Sequence, residues 1–361
     1  MIHCRDCQKP FPLDLFPHRC QDCGGLFAFS AGLDYAADEI KTGLPGIWRF
    51  INSYSLPPGG SVVTLGEGNT PLVWSTLFGH KIGFKMESQN PTGSFKDRGS
   101  AVLFSWLLAA GVKSAVEDSS GNAGSSFAAY ASRVGMNGKV FIPEYTTGPK
   151  RKQIESYGAE VIPIPGPRSK AAEAVLTEVE KGAVYASHAY LPQGTAGIAS
   201  IAYELYEEAG EVPGTIVMPV GHGSLMLGIY LGFDALLRAG KISRLPRLVG
   251  VQAAVCAPLF NAYQTDSQEP GQVVEGKTVA GGVAISNPYH GKEVLRAVRE
   301  SGGMILGVAE SEILSGQEQL AKLGFYVELT SALVWSGLEQ IIQTAADPIV
   351  CIITGHGLKS A

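Results

Sequence analysis

From Ser114 onward, apolar runs of strand length alternate with segments of helix length, and this alternation limits the possible folds more than any other feature. Ser114 to Glu117 precedes Ala123 to Val134, Lys139 to Ile142 precedes Pro149 to Tyr157, and Glu160 to Ile164 precedes Ser169 to Lys181. The pattern resumes with Thr215 to Val220 before Ser224 to Leu237, continues at Arg247 to Gln252 and closes at Pro348 to Ile353. Strands joined through helices run parallel, so the reading is an α/β fold. With 361 residues there is room for about two domains. Only 17% of residues are charged and 45% are hydrophobic, which excludes disorder and fits extensive burial.

A formal charge of −5 argues against a general attraction to nucleic acid or an anionic membrane. The longest candidate membrane run, Ala101 to Val112, contains Ser105 and falls short of the roughly 20 residues a spanning helix needs. Met1 to Cys7 lacks the basic-then-apolar opening of a secretory signal. The expectation is a cytoplasmic protein acting on a small molecule, with neither nucleic acid nor membrane as partner.

Cysteines are concentrated at the start. Cys4-Arg-Asp-Cys7 and Cys20-Gln-Asp-Cys23 are separated by twelve residues, the spacing of a zinc knuckle. Each pair can turn two thiolates toward one point, and four satisfy a tetrahedral Zn²⁺ at about 2.3 Å per bond. Four thiolates leave no open coordination position, so such a zinc is structural. Two disulfides are the alternative, which a reducing cytosol disfavours. Arg5, Lys9 and Arg19 are balanced by Asp6, Asp14 and Asp22, so the knuckle has no basic face. It is read as an appendage whose loss affects stability more than chemistry. Cys256 and Cys351 lie in apolar settings and are expected in the core.

Three loops carry chemistry. Gln89 to Ser100 is a polar turn that runs into the apolar Ala101 to Val112 and sets Lys96 near a helix N-terminus. There the helix dipole favours the neutral amine that Schiff-base formation needs; a solvated lysine is the bland alternative. Asp118-Ser-Ser-Gly-Asn-Ala-Gly124 lies between a strand and a helix, where amides and hydroxyls can hold a carboxylate. Asn122 can equally be a simple helix cap. Met218-Pro-Val-Gly-His-Gly-Ser-Leu225 also follows a strand and opens a helix, as a phosphate cradle does, although its GxG alone is weak.

In this order the three loops resemble those of pyridoxal phosphate enzymes of the tryptophan synthase β-type fold (fold type II). Leu65-Gly-Glu-Gly-Asn-Thr-Pro-Leu72, Gly93-Ser-Phe-Lys-Asp-Arg-Gly99 and Ile353-Thr-Gly-His-Gly-Leu-Lys359 are similar to threonine synthases, several of which carry an N-terminal cysteine knuckle. The resemblance implies two parallel-sheet domains: residues 1–30 as the knuckle, 31–59 as a linker, 60–84 and 190–361 as a large cofactor domain, and 85–189 as a small mobile domain that closes on substrate. It implies that Lys96 is the Schiff-base lysine and proton shuttle. Phe95, Asn122 and the amides of Gly221, His222, Gly223, Ser224 and Leu225 would hold pyridoxal 5'-phosphate, with Thr354 facing its pyridine nitrogen. Ser119, Ser120 and Gly121 would receive the substrate α-carboxylate. His222 and His356 are expected to matter through backbone geometry. A homodimer is the implied assembly.

The likeness breaks where a substrate phosphate would bind. Threonine synthases place an arginine in an Asn-Pro-Tyr-Arg-Leu-Glu-Gly-like segment. Here Leu191-Pro-Gln-Gly-Thr-Ala-Gly197 puts Gly194 there, and no arginine or lysine occurs from Gly182 to Gly214. An asparagine is usual at His222. Lys150, Arg151 and Lys152 are read as a solvated helix that can also supply charge. Conversion of O-phospho-L-homoserine and water to L-threonine and phosphate is the first expectation. A threonine or serine ammonia-lyase, or a β-replacement synthase of the cysteine synthase type, is the second.

Overall fold

The computed structural model describes residues 1–360 apart from 37, 38, 58, 188 and 275. Ala37, Asp38 and Pro58, within residues 31–59 read as a linker, lie outside the described residues. In chain order the strands and helices begin with β1 (Ile2–Cys4), β2 (Phe27–Phe29), β3 (Leu72–Leu77), β4 (His80–Lys85), α1 (Lys96–Ala109), β5 (Ser114–Glu117) and α2 (Asn122–Arg133). They continue with β6 (Asn137–Pro143), α3 (Pro149–Ser156), β7 (Glu160–Ile164), α4 (Arg168–Glu180), β8 (Val184–Tyr185), α5 (Pro192–Glu208), β9 (Thr215–Pro219) and α6 (Ser224–Arg238). The last are β10 (Arg247–Ala253), α7 (Pro258–Gln264), α8 (Gly291–Glu300), β11 (Met304–Val308), α9 (Glu310–Lys322), α10 (Leu329–Ile341) and β12 (Ile349–Ile352). Among the described residues no helix is long and apolar enough to cross a membrane.

The chain divides into two compact units, Met1–Gly68 with Lys96–Ile198, and Asn69–Phe95 with Ala199–Ala361. The first holds a four-stranded sheet in the order β7-β6-β5-β8, parallel throughout, and the β1-β2 hairpin of the knuckle. Residues 46–54 form a 3-10 turn whose Trp48 and Tyr54 are buried. Trp48 Nε1 and Tyr130 Oη donate to the buried Glu67 carboxylate at 2.8 and 2.6 Å.

The second unit holds a six-stranded sheet, β11-β10-β9-β12-β4-β3. All neighbours are parallel except β3 and β4, an antiparallel hairpin at the edge. Its two-residue turn puts Phe78 and Gly79 at φ 54° and 81°, the left-handed pair of a type I′ turn. β9 and β12 are buried along their whole length because helices cover both sheet faces, which is why they read as unbroken apolar runs. Val217, Val251, Ile349 and Leu333 lie in this core, where each fully buried side chain of that kind contributes about 1.5–3 kcal/mol. Cys256 and Cys351 are buried as expected, and burial pushes the Cys351 thiol up to about 12, which suits an inert core residue.

Candidate active site

In the first unit Lys96 is the opening residue of α1, so the helix begins five residues before the apolar run that announced it. Asp97 and Arg98 follow, both buried, and Ser126 Oγ donates to Asp97 Oδ1 at 2.7 Å. α1 and α5 meet backbone to backbone: a Cβ on Gly99 would lie 2.9 Å from the Gly194 carbonyl oxygen, and one on Gly197 2.0 Å from that of Arg98.

The loop after β5 is equally tight. A Cβ on Gly124 would fall 1.8 Å from the Ser119 carbonyl oxygen, so only glycine fits there. The Gly121 amide donates to Ser119 Oγ at 3.2 Å, folding the loop over the start of α2. The cap position belongs to Gly121, and Asn122 is the first helical residue, so the capping alternative for Asn122 does not hold. Ser119, Ser120, Gly121 and Asn122 are half-buried. Glu117, which the sequence reading did not single out, ends β5 at 2% exposure. Burial pushes its carboxyl well above the usual range, the adjacent Asp118 charge adds to this, and the Lys96 ammonium opposes it. Gln193, fully buried on α5, has no hydrogen-bond partner for either amide atom among the described residues. In α3 Arg151 is engaged with Glu155 at 2.9 Å and the Thr146 carbonyl at 3.1 Å.

In the second unit the segment before Lys96 is zipped along the chain beyond β12. Ile353 N donates to Lys85 O, Ser88 N to Ile353 O, Phe95 N to Thr354 O, and His356 N to Gly93 O, at 2.9–3.1 Å. Lys359 Nζ adds a bond of 2.6 Å to Thr92 O. Thr354 is buried with its hydroxyl 2.8 Å from Ser331 Oγ. Beneath this segment lies an ionic network: Lys85 Nζ contacts Glu204 at 2.9 Å, Glu208 at 2.7 Å and Thr70 O at 2.6 Å. Thr70 Oγ1 and Asn90 Nδ2 donate to the two oxygens of Glu87 at 2.7 and 2.8 Å. Lys85, Glu87, Glu204 and Glu208 stand in none of the motifs quoted above.

The third loop runs from β9 into α6, whose first amides have no intrahelical acceptor. Gly221 and Gly223 are required by crowding, since a Cβ would meet Gly282 O at 2.8 Å in one case and Val294 Cγ2 at 2.4 Å in the other. Gly223 also has φ +99°. Ser224 and Leu225 begin the helix and are buried. The His222 ring stacks on Tyr289, centroids 4.5 Å apart and 14° between planes, and its carbonyl accepts from His290 N at 3.1 Å. The His356 ring is likewise used, with Nδ1 accepting from Leu358 N at 3.2 Å. Both side chains therefore have contacts beyond the backbone role expected of them. A glycine loop at a helix N-terminus with its walls already packed fits a phosphate group, and a buried hydroxyl in the Thr354 setting fits a ring nitrogen.

The cysteine pairs form one cluster. The sulfurs of Cys4, Cys7, Cys20 and Cys23 all lie within 4.8 Å of one another. Amides of Asp22 and Cys23 bring Cys20 down to about 7. Although the Gly25 amide favours the Cys23 thiolate, the facing sulfurs of Cys4 and Cys7 and burial push that thiol up to about 12. Thiols so close compete to ionise, and a divalent cation removes the competition.

Comparison with known proteins agrees with these features. Residues 63–355 match the family of pyridoxal-phosphate dependent enzymes. The threonine synthase of Methanosarcina acetivorans is 32% identical over 99% of this chain and 92% of its own, and that of Methanocaldococcus jannaschii is 31% identical over the same shares. That of Synechocystis sp. is 36% identical over 82% of this chain and 78% of its own. Among solved structures, maize serine racemase superposes with a TM-score of 0.70 at 21% identity, covering 80% of this chain and 88% of its own. The T.th. threonine deaminase gives 0.68 at 24%, covering 80% and 92%. The fold is thus the α/β architecture of fold type II enzymes, and the chain belongs to the pyridoxal-phosphate dependent enzymes.

Proposed function

We propose that the protein is a threonine synthase, converting O-phospho-L-homoserine and water to L-threonine and phosphate. The observation that carries this reading is likeness to threonine synthases over 99% of the chain, knuckle included. Pyridoxal 5'-phosphate, when bound, supplies a carbonyl carbon to which amines add and an electron sink for negative charge at the substrate α-carbon. Lys96 would bond to it covalently, with Phe95, Asn122, Gly221, His222, Gly223, Ser224, Leu225 and Thr354 holding it in place. Ser119, Ser120 and Gly121 would bind the substrate α-carboxylate. Lys96 Nζ would take the α-proton and return protons to carbon as the phosphate leaves and water adds at the β-carbon.

The assignment of residues 60–84 and 190–361 to cofactor binding, 85–189 to the lysine and asparagine loop, and 31–59 to a linker belongs to the same proposal, as do a homodimeric state and a cytoplasmic location. So does a structural Zn²⁺ on Cys4, Cys7, Cys20 and Cys23. Metal analysis of the purified protein is expected to give about one zinc per chain, and its chelation to lower the thermal midpoint. A metal-free protein of unchanged stability would remove the zinc assignment.

The decisive assay is release of phosphate together with threonine from O-phospho-L-homoserine by the cofactor-loaded protein, expected at on the order of 1 per second or faster. Gly194, in place of a phosphate-binding arginine, favours a second reading as an ammonia-lyase or β-replacement enzyme. Ammonia and a 2-oxo acid formed from L-threonine or L-serine, with no phosphate released from O-phospho-L-homoserine, would select that reading.

A further inference from the structure

The second cysteine pair of the knuckle is preceded by two side chains seated on tyrosines of the first unit. The His18 ring lies 5.6 Å from Tyr185 and 5.5 Å from Tyr190, and the Arg19 guanidinium lies 5.4 Å above the Tyr190 ring. Arg19 is fixed from the knuckle side as well, donating to the Gly24 carbonyl at 2.9 Å. The two tyrosine rings are 5.1 Å apart and nearly fully buried.

These rings lead directly to the loop after β5. Tyr185 ends β8, which pairs with β5 in register Val116 to Tyr185. Burial, and after it the charge of Asp118, the residue before Ser119, push the Tyr185 phenol well above its usual range, so the two side chains lie within electrostatic reach. A parallel link runs through the backbone: Ala186 N donates to Val116 O on β5 at 3.0 Å, and the Ser187 carbonyl accepts from Tyr190 N and Leu191 N at 3.0 and 2.8 Å. Each contact is modest alone, but a ring held on two sides has few alternative rotamers.

We propose that the knuckle is a positioning element of the substrate site. His18 and Arg19, clamped on Tyr185 and Tyr190, hold Tyr185 against Asp118 and so fix Ser119–Gly121 in the geometry that receives an amino-acid α-carboxylate. This rests on the reading of that loop as the carboxylate site. It requires the fold of the knuckle and the identity of two side chains, not the chemistry of the ion.

The test compares the full-length, cofactor-loaded protein with His18→Ala/Arg19→Ala, with His18→Phe/Arg19→Lys, which restores a ring and a cation, and with Tyr185→Phe, which keeps the ring but removes its hydroxyl. For the double alanine variant and Tyr185→Phe, amide hydrogen exchange at residues 118–121 is expected to quicken about tenfold. KM for O-phospho-L-homoserine should rise about tenfold with kcat within about twofold, the result of loosening a binding loop without touching the reacting atoms. The His18→Phe/Arg19→Lys variant should recover most of both. Unchanged exchange at 118–121 in the alanine variant, or loss of kcat with KM unaltered, overturns the proposal. Exchange needs no substrate, so a parent protein inactive on O-phospho-L-homoserine would remove the functional reading and still leave this one to be decided.

Discussion

Lys96→Ala is expected to lower turnover by at least about a thousandfold, and to abolish the visible band that borohydride reduction fixes covalently to the chain. The substitution is structurally mild: alanine is the best helix former, and position 96 is the first residue of α1. What is lost is the amine. The hydrogen bond from Phe95 N to Thr354 O is expected to survive, as is the zipper from Lys85 to His356, so the proposed cofactor cradle would remain while the covalent anchor and proton carrier proposed at Lys96 would be gone. Absorption spectroscopy before and after reduction, with mass spectrometry of the reduced protein, gives the answer. A retained, reducible band in the variant would mean that another lysine carries the chemistry.

The largest effect on stability is expected from Lys85→Met. Lys85 is fully buried with its ammonium between Glu204, also fully buried, and Glu208. Removing the cation takes away the buried charge shared by Glu204, Glu208 and the Thr70 carbonyl, a loss of about 3–5 kcal/mol. Urea denaturation should show it as a large fall in midpoint. Lys85→Met/Glu204→Gln should recover part, because one buried negative charge is then gone. A single variant within about 0.5 kcal/mol of the parent would mean that water reaches the network and screens it.

The parallel strands were legible because burial on both faces leaves a continuous apolar run, as in β9 and β12. The glycine-rich loops were legible because close backbone approach demands glycine, and Gly124 and Gly223 show the crowding that enforces it. Other features left no such mark. The β3-β4 hairpin turns at Phe78-Gly79, where a phenylalanine takes a left-handed conformation usually assigned to asparagine or glycine. The start of α1 was hidden because Lys-Asp-Arg-Gly-Ser reads as a solvated turn, whereas tertiary contacts bury Asp97 and Arg98 completely. The stacking of His222 on Tyr289, the Lys85 network and the seating of His18 join residues distant in sequence, and no local pattern encodes such pairs. Glu117 and Gln193 were passed over because a lone polar residue gives no warning that it will be buried.

β12, formed by residues 349–352, is not an edge strand: it lies between β9 and β4. While the ribosome is still making the chain, those two strands have no common neighbour, and their facing edges stay open until residue 352 has left the exit tunnel. The β7-β6-β5-β8 sheet draws only on residues 114–185 and is free of that delay. Biogenesis is therefore split in time. One sheet can assemble from residues 114–185 alone, whereas the sheet beside Thr354 cannot close until residues 349–352 have emerged, and until then its two unpaired strand edges can pair with other chains.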